Sequence, residues 1–278
     1  MNVRVEVFSG WLVRSFPLPA LLLCLCLASE TPEAAAQQPV LGYTDTPMQP
    51  DGRWRIHDLS RPQPRVVAPG AGVPVPPPAD AIVLLGPGAD LSRWQAADGT
   101  PPAWPMADGV VQTGRGIIGT REDFGAIQLH LEFATPAAVQ GASQGRGNSG
   151  VFLAGVFEIQ VLDSWENPTY ADGQAAALYG QFPPLVNASR PPGEWQSYDI
   201  VFIAPRFSAS GELLDSARVT VHHNGVLVHH ARAFWGGTTH RAIRPYDPSM
   251  ARGPIRLQDH GNPVRYRNIW VREITAPE

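Results

Sequence analysis

Residues Gly147 to Trp165 read GNSGVFLAGVFEIQVLDSW, and Glu158, Gln160 and Asp163 interrupt an otherwise apolar, β-prone run. Two carboxyls and an amide in such a stretch suit acid–base work on a polar substrate. Strict alternation puts Ile159 and Val161 on a core face and leaves Glu158 and Gln160 on the opposite one. Period two alone would return Asp163 to the core. Either a β-bulge between Gln160 and Asp163 brings it back to the polar face, as bulges beside active sites do, or Asp163 ends the strand and caps the turn into SWENP.

Other segments repeat the arrangement. In AIQLHLEF, Ile127, Leu129 and Leu131 alternate with Gln128, His130 and Glu132, and in PIRLQDH, Ile255 and Leu257 alternate with Arg256, Gln258 and His260. One sheet face is thus expected to carry amides, imidazoles and guanidinium groups, with Tyr179, Trp165 and Trp235 close by in sequence. That lining suits a carbohydrate, which offers hydroxyls to planar polar groups and apolar C–H faces to aromatic rings. In RVTVHHNGVLVHH, Asn224-Gly225 is the preferred pair for a type I′ hairpin turn. The histidines at 222, 223, 229 and 230 are read as solvated hairpin residues rather than metal ligands, because strand neighbours point to opposite faces.

Positioning these groups falls to many short apolar or alternating runs separated by Gly, Pro, Asn and Asp from Ala81 onward, with no clean helical period over a dozen residues. The pattern predicts one all-β sandwich or barrel over 81–278. Its expected core includes Ile127, Leu129, Val151, Ile159, Val161, Val201, Leu257, Ile269 and Val271. Residues 37–80, ending in PGAGVPVPPPAD, read as a Pro-rich arm and linker, part of which (Trp54, Ile56, His57) is expected to pack onto the domain. Residues 1–36 read as a secretory signal, with Arg4 and Arg14 before the apolar Leu18–Leu27 and an Ala-rich cleavage site. That apolar run is shorter than the roughly 20 residues a membrane span needs, so the mature chain is expected to have none and to be periplasmic or secreted. Both cysteines, Cys24 and Cys26, lie in the signal, which leaves no disulfide in the mature chain. A formal net charge of -4 argues against nucleic acid or an anionic membrane as partner.

The string GRGNSGVFLAGVFEIQVLDSW, followed by YADGQAAALYGQFPPLVNASRPPGEWQSYDIVFIAPRF and GPIRLQDHGNPVRYRNIWVREI, resembles the 3-keto-disaccharide hydrolase family, also catalogued as DUF1080. The resemblance runs from about residue 80 to the C-terminus. The arm segment YTDTPMQPDGRWRIHDLSRPQP is similar to an extension found in some members. The opening Gly86-Pro87-Gly88 departs from the usual Asp-Gly-basic pattern, which leaves that loop in question. The resemblance implies a concanavalin/laminarinase-like jelly-roll sandwich, an extracytoplasmic location and action on 3-keto-glycosides, with functional coupling to a sugar 3-dehydrogenase.

A 3-keto group acidifies the C2 hydrogen, and the glycosidic oxygen on C1 is then a β-leaving group. Such chemistry needs a general base, a proton donor for the leaving oxygen and hydrogen bonds to the enolate. Glu158 is the candidate base, and Asp163 or His260 the donor. Arg146, Asn148, Gln160 and Gln258 are candidates to bind sugar hydroxyls or the C3 oxygen. The loop YGQFPPLVNASRPPGEW, stiffened by tandem prolines, is expected to rim the cleft and present Tyr179, Gln181, Asn187 or Arg190. A divalent cation at the carbonyl would help, but no ligand spacing is diagnostic, and the metal stays open. Two other readings remain: a non-catalytic lectin-like module, and a conventional glycosidase. Against the latter, laminarinase-like enzymes carry Glu-x-Asp-x-x-Glu where this chain has Glu158, Gln160 and Asp163, so a retaining pair of carboxylates is not reproduced.

Overall fold

The computed structural model describes Gly10 and residues 38–72 and 74–274. The expected signal segment therefore lies, but for Gly10, outside the described residues. The chain divides into two units, Met1–Gln38 and Pro39–Glu278, and the second carries all the architecture below.

Alternating sequence folds here into two antiparallel sheets, a β-sandwich. The larger runs in the order Val226–Ala233, Arg218–His223, Gln196–Ile203, Ile127–Ala134, Arg265–Glu273, Val110–Gln112 and Met106–Ala107, and Ile82–Leu85 also pairs with Arg265–Glu273. The smaller runs Trp94–Ala96, Ile118–Thr120, Arg256–Leu257, Ser149–Leu153 and Phe157–Val161. One core fills the space between them, with Ile127, Leu129, Leu131 and Phe133 from the large sheet meeting Val151, Leu153, Phe157, Ile159 and Val161 from the small one. Polar ties cross it: Tyr198 Oη donates to Gln160 O (2.7 Å), and Tyr266 Oη donates to Ser149 Oγ (2.6 Å).

Of the expected core residues, Val201 is a correction. It is 41% exposed, because Tyr198, Ile200 and Phe202 of the same strand take the inward positions and period two sends Val201 out. The hairpin turn forms as the sequence demands, with Asn224 and Gly225 both at positive φ (52° and 78°) between His223 and Val226. The solvated reading of its histidines is corrected for two of them. His223 and His229 are buried, and burial, aided by Arg190 in the first case, pushes their pKa values down to about 3 and about 4. His223 Nε2 meets Gln196 Oε1 (2.9 Å) and His229 Nε2 meets Ala176 O (2.9 Å), so each neutral ring has a partner.

The Pro-rich segment is extended and held by backbone and side-chain bonds. Arg65–Val66 pairs in parallel with Val186–Asn187, and Val75 O accepts from Asn268 Nδ2 (3.1 Å) and Trp270 Nε1 (3.3 Å). It thereby lies over the outer face of the large sheet, the face onto which His130 and Glu132 point. Those two are already consumed there: His130 Nδ1 meets Asp199 (2.7 Å), and Glu132 takes Arg267 Nε (2.6 Å) and Asn268 Nδ2 (2.9 Å). The polar faces of AIQLHLEF and FEIQV thus belong to opposite sides of the sandwich rather than to one substrate face.

The Tyr198 bond across the core gives a direct test. Gln160 O also accepts from Ala176 N (2.8 Å), so Tyr198→Phe leaves no acceptor orphaned. The variant is expected to fold and to lose about 1 kcal/mol in urea denaturation, the ordinary net value of one hydrogen bond.

Candidate active site

Phe157–Val161 ends the small sheet, and its free edge is covered in a way that builds a cleft. Gln160 N donates to Ala177 O (3.0 Å), Tyr179 N to Glu158 O (3.3 Å) and Glu158 N to Thr238 Oγ1 (2.9 Å). Segments near 176–179 and 237–240 are thereby laid along the strand, which protects an edge that would otherwise expose unpaired backbone groups. With Phe157, Ile159 and Val161 facing the core, Glu158 and Gln160 face outward between these segments.

The resulting cleft of about 250 Å³ is lined by Glu158, Gln160, Asn148, Tyr179, Gln258 and His260, together with Phe152, Thr238, Thr239 and His240. Glu158 lies at its floor, 5% exposed. No cation pairs with it among the described residues, and burial alone pushes its pKa up to about 8. The strand opposite makes room: Phe152 faces Glu158 and Gly150 faces Gln160 in the register, and a Cβ on Gly150 would collide with Glu158 Oε1. Gly150 is therefore glycine for space, not for an unusual backbone.

Gln160 links the carboxyl to a polar chain. Its amide lies 2.9 Å from the Gln144 side chain, and Gln144 Nε2 donates to Thr169 Oγ1 (2.9 Å) and Gly173 O (3.0 Å). The Gln160 amide nitrogen faces Ser149 O (2.9 Å) and Glu158 Oε1 (3.0 Å) and donates to both.

Across the cleft, Tyr170 Oη and Tyr179 Oη are 2.9 Å apart, and Tyr179 Oη lies 3.2 Å from His240 Nδ1. Burial raises the pKa of both phenols, which keeps them protonated. Burial, with His57 and Arg241 nearby, lowers that of His240. Behind this wall stands His57 from the arm. It is fully buried at φ 57°, with Nδ1 3.1 Å from Asp172 Oδ1 and its backbone N–H donating to Asp172 Oδ2 (3.0 Å). Its ring packs against Tyr170 (4.1 Å), Tyr179 (4.8 Å) and His240 (5.5 Å), centroid to centroid.

Of the residues singled out from sequence, the fold gathers Glu158, Gln160, Asn148, Tyr179, Gln258 and His260. It does not bring the others to the cleft. Asp163 follows the strand end without a bulge, accepts from Arg146 Nε (2.7 Å) and Trp165 N (3.1 Å), and so caps the turn. Arg146 is spent on that pair and on Trp165 O (2.9 Å). Gln181 is buried between Gly236 O (2.9 Å) and Trp235 N (2.7 Å), Asn187 donates to Ser164 O (2.9 Å), and Arg190 donates to Gly70 O (2.6 Å). The proline loop is therefore tied to segments outside it, and only Tyr179 of the four named on it reaches the cleft. Sequence reasoning missed His240, Thr238, Gln144 and His57. Thr238 lies in the three-residue strand Gly237–Thr239 and His240 in the turn that follows, too short a stretch to show a period, and the last two act through contacts more than a hundred residues apart or through a buried amide. Among the described residues no group of three or more His, Cys, Asp or Glu is placed to hold a metal ion.

Fold and cleft together define an antiparallel β-sandwich protein with a desolvated carboxyl on the floor of a polar, sugar-sized cleft. Residues 80–272 match the 3-keto-alpha-glucoside-1,2-lyase-like domain, and the chain belongs to that family. It is similar to the crystal structure of a protein from Parabacteroides distasonis ATCC 8503, provisionally named as a glycosyl hydrolase, with 40% identity and a TM-score of 0.69, over 82% of this chain and 100% of that one. A second structure from the same organism, with the same provisional name, is 19% identical with a TM-score of 0.49, over 68% of this chain and 91% of that one. Comparison with functionally curated proteins finds no match.

Two outcomes follow from the floor of the cleft. A carboxyl whose pKa is raised by folding opposes folding once it must ionise. Its neutral form is compatible with the fold at and below its ordinary pKa of 4.5, and stability is lost progressively as pH rises toward about 8. Glu158→Gln is therefore expected to melt close to wild type at pH 4.5 and above it at pH 8.5, as read by calorimetry. Gly150→Ala is expected to fold with a loss of about 1–3 kcal/mol, the usual cost of overpacking, and to shift the Glu158 side chain in a crystal structure.

Proposed function

We infer that the protein cleaves 3-keto-glucosides by elimination across C1–C2, followed by hydration, with Glu158 as the general base. The observation that carries this reading is the uncompensated burial of Glu158 in the cleft, within a domain of the 3-keto-glucoside lyase-like family. A carboxylate deprived of water and of counterions is a stronger base than one in solution, which suits a C–H acid activated by a neighbouring ketone.

In this reading Glu158 takes the C2 proton, and the C2–H electrons form the enolate across C2 and C3. The enolate then collapses, the C1–O bond breaks, and the aglycone oxygen takes a proton from His260. Water adds at C1 of the enone while C2 regains a proton, which gives the free 3-keto sugar. Amide and phenol groups of Asn148, Gln258 and Tyr179 hold the hydroxyls and the C3 oxygen, and the amide nitrogen of Gln160 donates to the Glu158 carboxylate. An unoxidised glycoside lacks the acidic C2 hydrogen and is not a substrate. The signal-like sequence of residues 1–36 fits work outside the cytoplasm, and the reaction would follow an enzyme that oxidises a sugar at C3.

Glu158→Gln is expected to lower kcat on a 3-keto-glucoside at least about 10²-fold with a smaller change in KM, and to abolish deuterium exchange at C2. The pH dependence separates two roles. As the base, Glu158 must be ionised while His260 is protonated, so wild-type kcat/KM has two limbs, and the limb set by Glu158, near pH 8, is expected to be absent from the residual activity of Glu158→Gln. A profile that falls through the same pH would instead make the neutral carboxyl the proton donor, and cleavage of the unoxidised glycoside would remove the elimination route altogether.

A further inference from the structure

A second groove lies outside the cleft, against the Phe182–Leu185 part of the loop that carries Tyr179. Of about 520 Å³, it is built from three parts of the chain: Asp51, Arg53, Trp54 and Arg61 of the arm, the loop from Phe182 to Leu185, and Arg232 with His229 and His230 on the edge of the large sheet. None of these residues takes part in the chemistry above.

Its charge is positive in balance, with three arginines against one lining carboxylate. Arg53 and Arg232 pair with no carboxylate among the described residues, and the lining carboxylate Asp51 accepts the Arg53 backbone N–H (3.0 Å). Arg61 is held rigidly, its Nη1 donating to Gln49 Oε1 (3.0 Å) and Gln181 O (3.1 Å), with a side chain only 9% exposed. Asp172, 3.7 Å away, also receives His57 and Gln49 and so offsets Arg61 only in part. Burial lowers the pKa of Arg61 against the opposing pull of Asp172, Asp51 and Asp58, and Arg232 is near enough to add to the lowering. His229, neutral in its buried place, adds no charge.

Its walls are flat and stiff. The Arg232 guanidinium lies over the Phe182 ring, 4.6 Å from the centroid, and Phe182 packs on Trp235 at 4.2 Å. Trp54 contributes a further aromatic surface, and Pro183 and Pro184 fix the backbone beside it. Guanidinium groups bind carboxylates through paired N–H donors, and aromatic faces take the C–H face of a pyranose. A bare inorganic anion would use the first feature and waste the second.

From these observations we propose that the groove is a second carbohydrate site, selective for a sugar acid such as a uronic acid residue, held by Arg53, Arg61 and Arg232 against Trp54. It goes beyond the proposed reaction and does not depend on it, because it is tested by binding without turnover. The full chain is titrated with D-glucuronate, D-glucose, sodium acetate and sodium sulfate by calorimetry and ligand-observed NMR at low ionic strength. Glucuronate is expected to bind with millimolar affinity, to weaken as salt is raised, and to bind Glu158→Gln as it binds wild type. The Arg53→Ala/Arg232→Ala double variant, whose fold is checked by its melting temperature, is expected to weaken glucuronate at least tenfold. Since Arg53 and Arg232 carry no salt bridge, that variant is expected to fold. The proposal is overturned if glucuronate does not bind, if the double variant binds it unchanged, if Glu158→Gln alone abolishes binding, or if glucose, acetate or sulfate binds as tightly.

Discussion

The structure turns on the burial of one carboxyl without a countercharge. A Glu in water gains several hydrogen bonds, and on the floor of the cleft Glu158 keeps at most the amide of Gln160. Such a group is tolerated because it can remain neutral, and this is what a pKa of about 8 expresses. Much of the small sheet is arranged around that fact. Gly150 leaves the volume that the carboxyl fills, and the segments near 176–179 and 237–240 close the strand edge and keep water from its sides. Replacing this arrangement with a salt bridge would lower the pKa and forfeit the basicity.

The arm is the second constraint. A chain of prolines and turn-formers cannot build a core of its own, yet residues 43–61 supply buried groups to the larger unit. His57 takes both oxygens of Asp172, and Gln49 donates to Asp172, Gly180 O and Gln181 O at 3.2, 2.9 and 2.9 Å. The segment 178–182 is thus held from the arm side by Gln49 and Arg61 and from the other by Gln181, which binds Gly236 O and Trp235 N. Tyr179 and Phe182 lie on that segment, so the wall of the cleft and the wall of the arginine groove share one backbone. His57 Nε2 has no hydrogen-bond partner among the described residues, and the rings of Tyr170 and Tyr179 pack beside it.

Some features were legible in sequence because they follow from local rules. Period two is intrinsic to a strand, so the inward course of Ile127, Leu129, Ile159 and Val161 and the outward course of Glu158 and Gln160 could be read directly. The Asn224-Gly225 turn could be read because only residues tolerant of positive φ fit a type I′ hairpin. Contiguous motifs around Glu158 carried the family, and with it the all-β sandwich.

What only tertiary structure decided is which polar face meets which. Alternation says that His130, Glu132, Glu158 and Gln160 all point away from a core, but it is silent on whether two strands share a sheet. His130 and Glu132 face one side of the sandwich beneath the Pro-rich segment, and Glu158 faces the other. For the same reason Arg146 and Asp163 looked like site residues until their mutual 2.7 Å pair was seen, and His240 did not look like one until the turn bearing it was laid along the strand edge. The pKa of Glu158 is likewise a property of everything packed around it. Sequence determined the chemistry that each strand could offer, because side-chain direction is local. Tertiary structure decided which of those groups meet in one cleft, because proximity and desolvation are set by contacts between residues far apart in the chain.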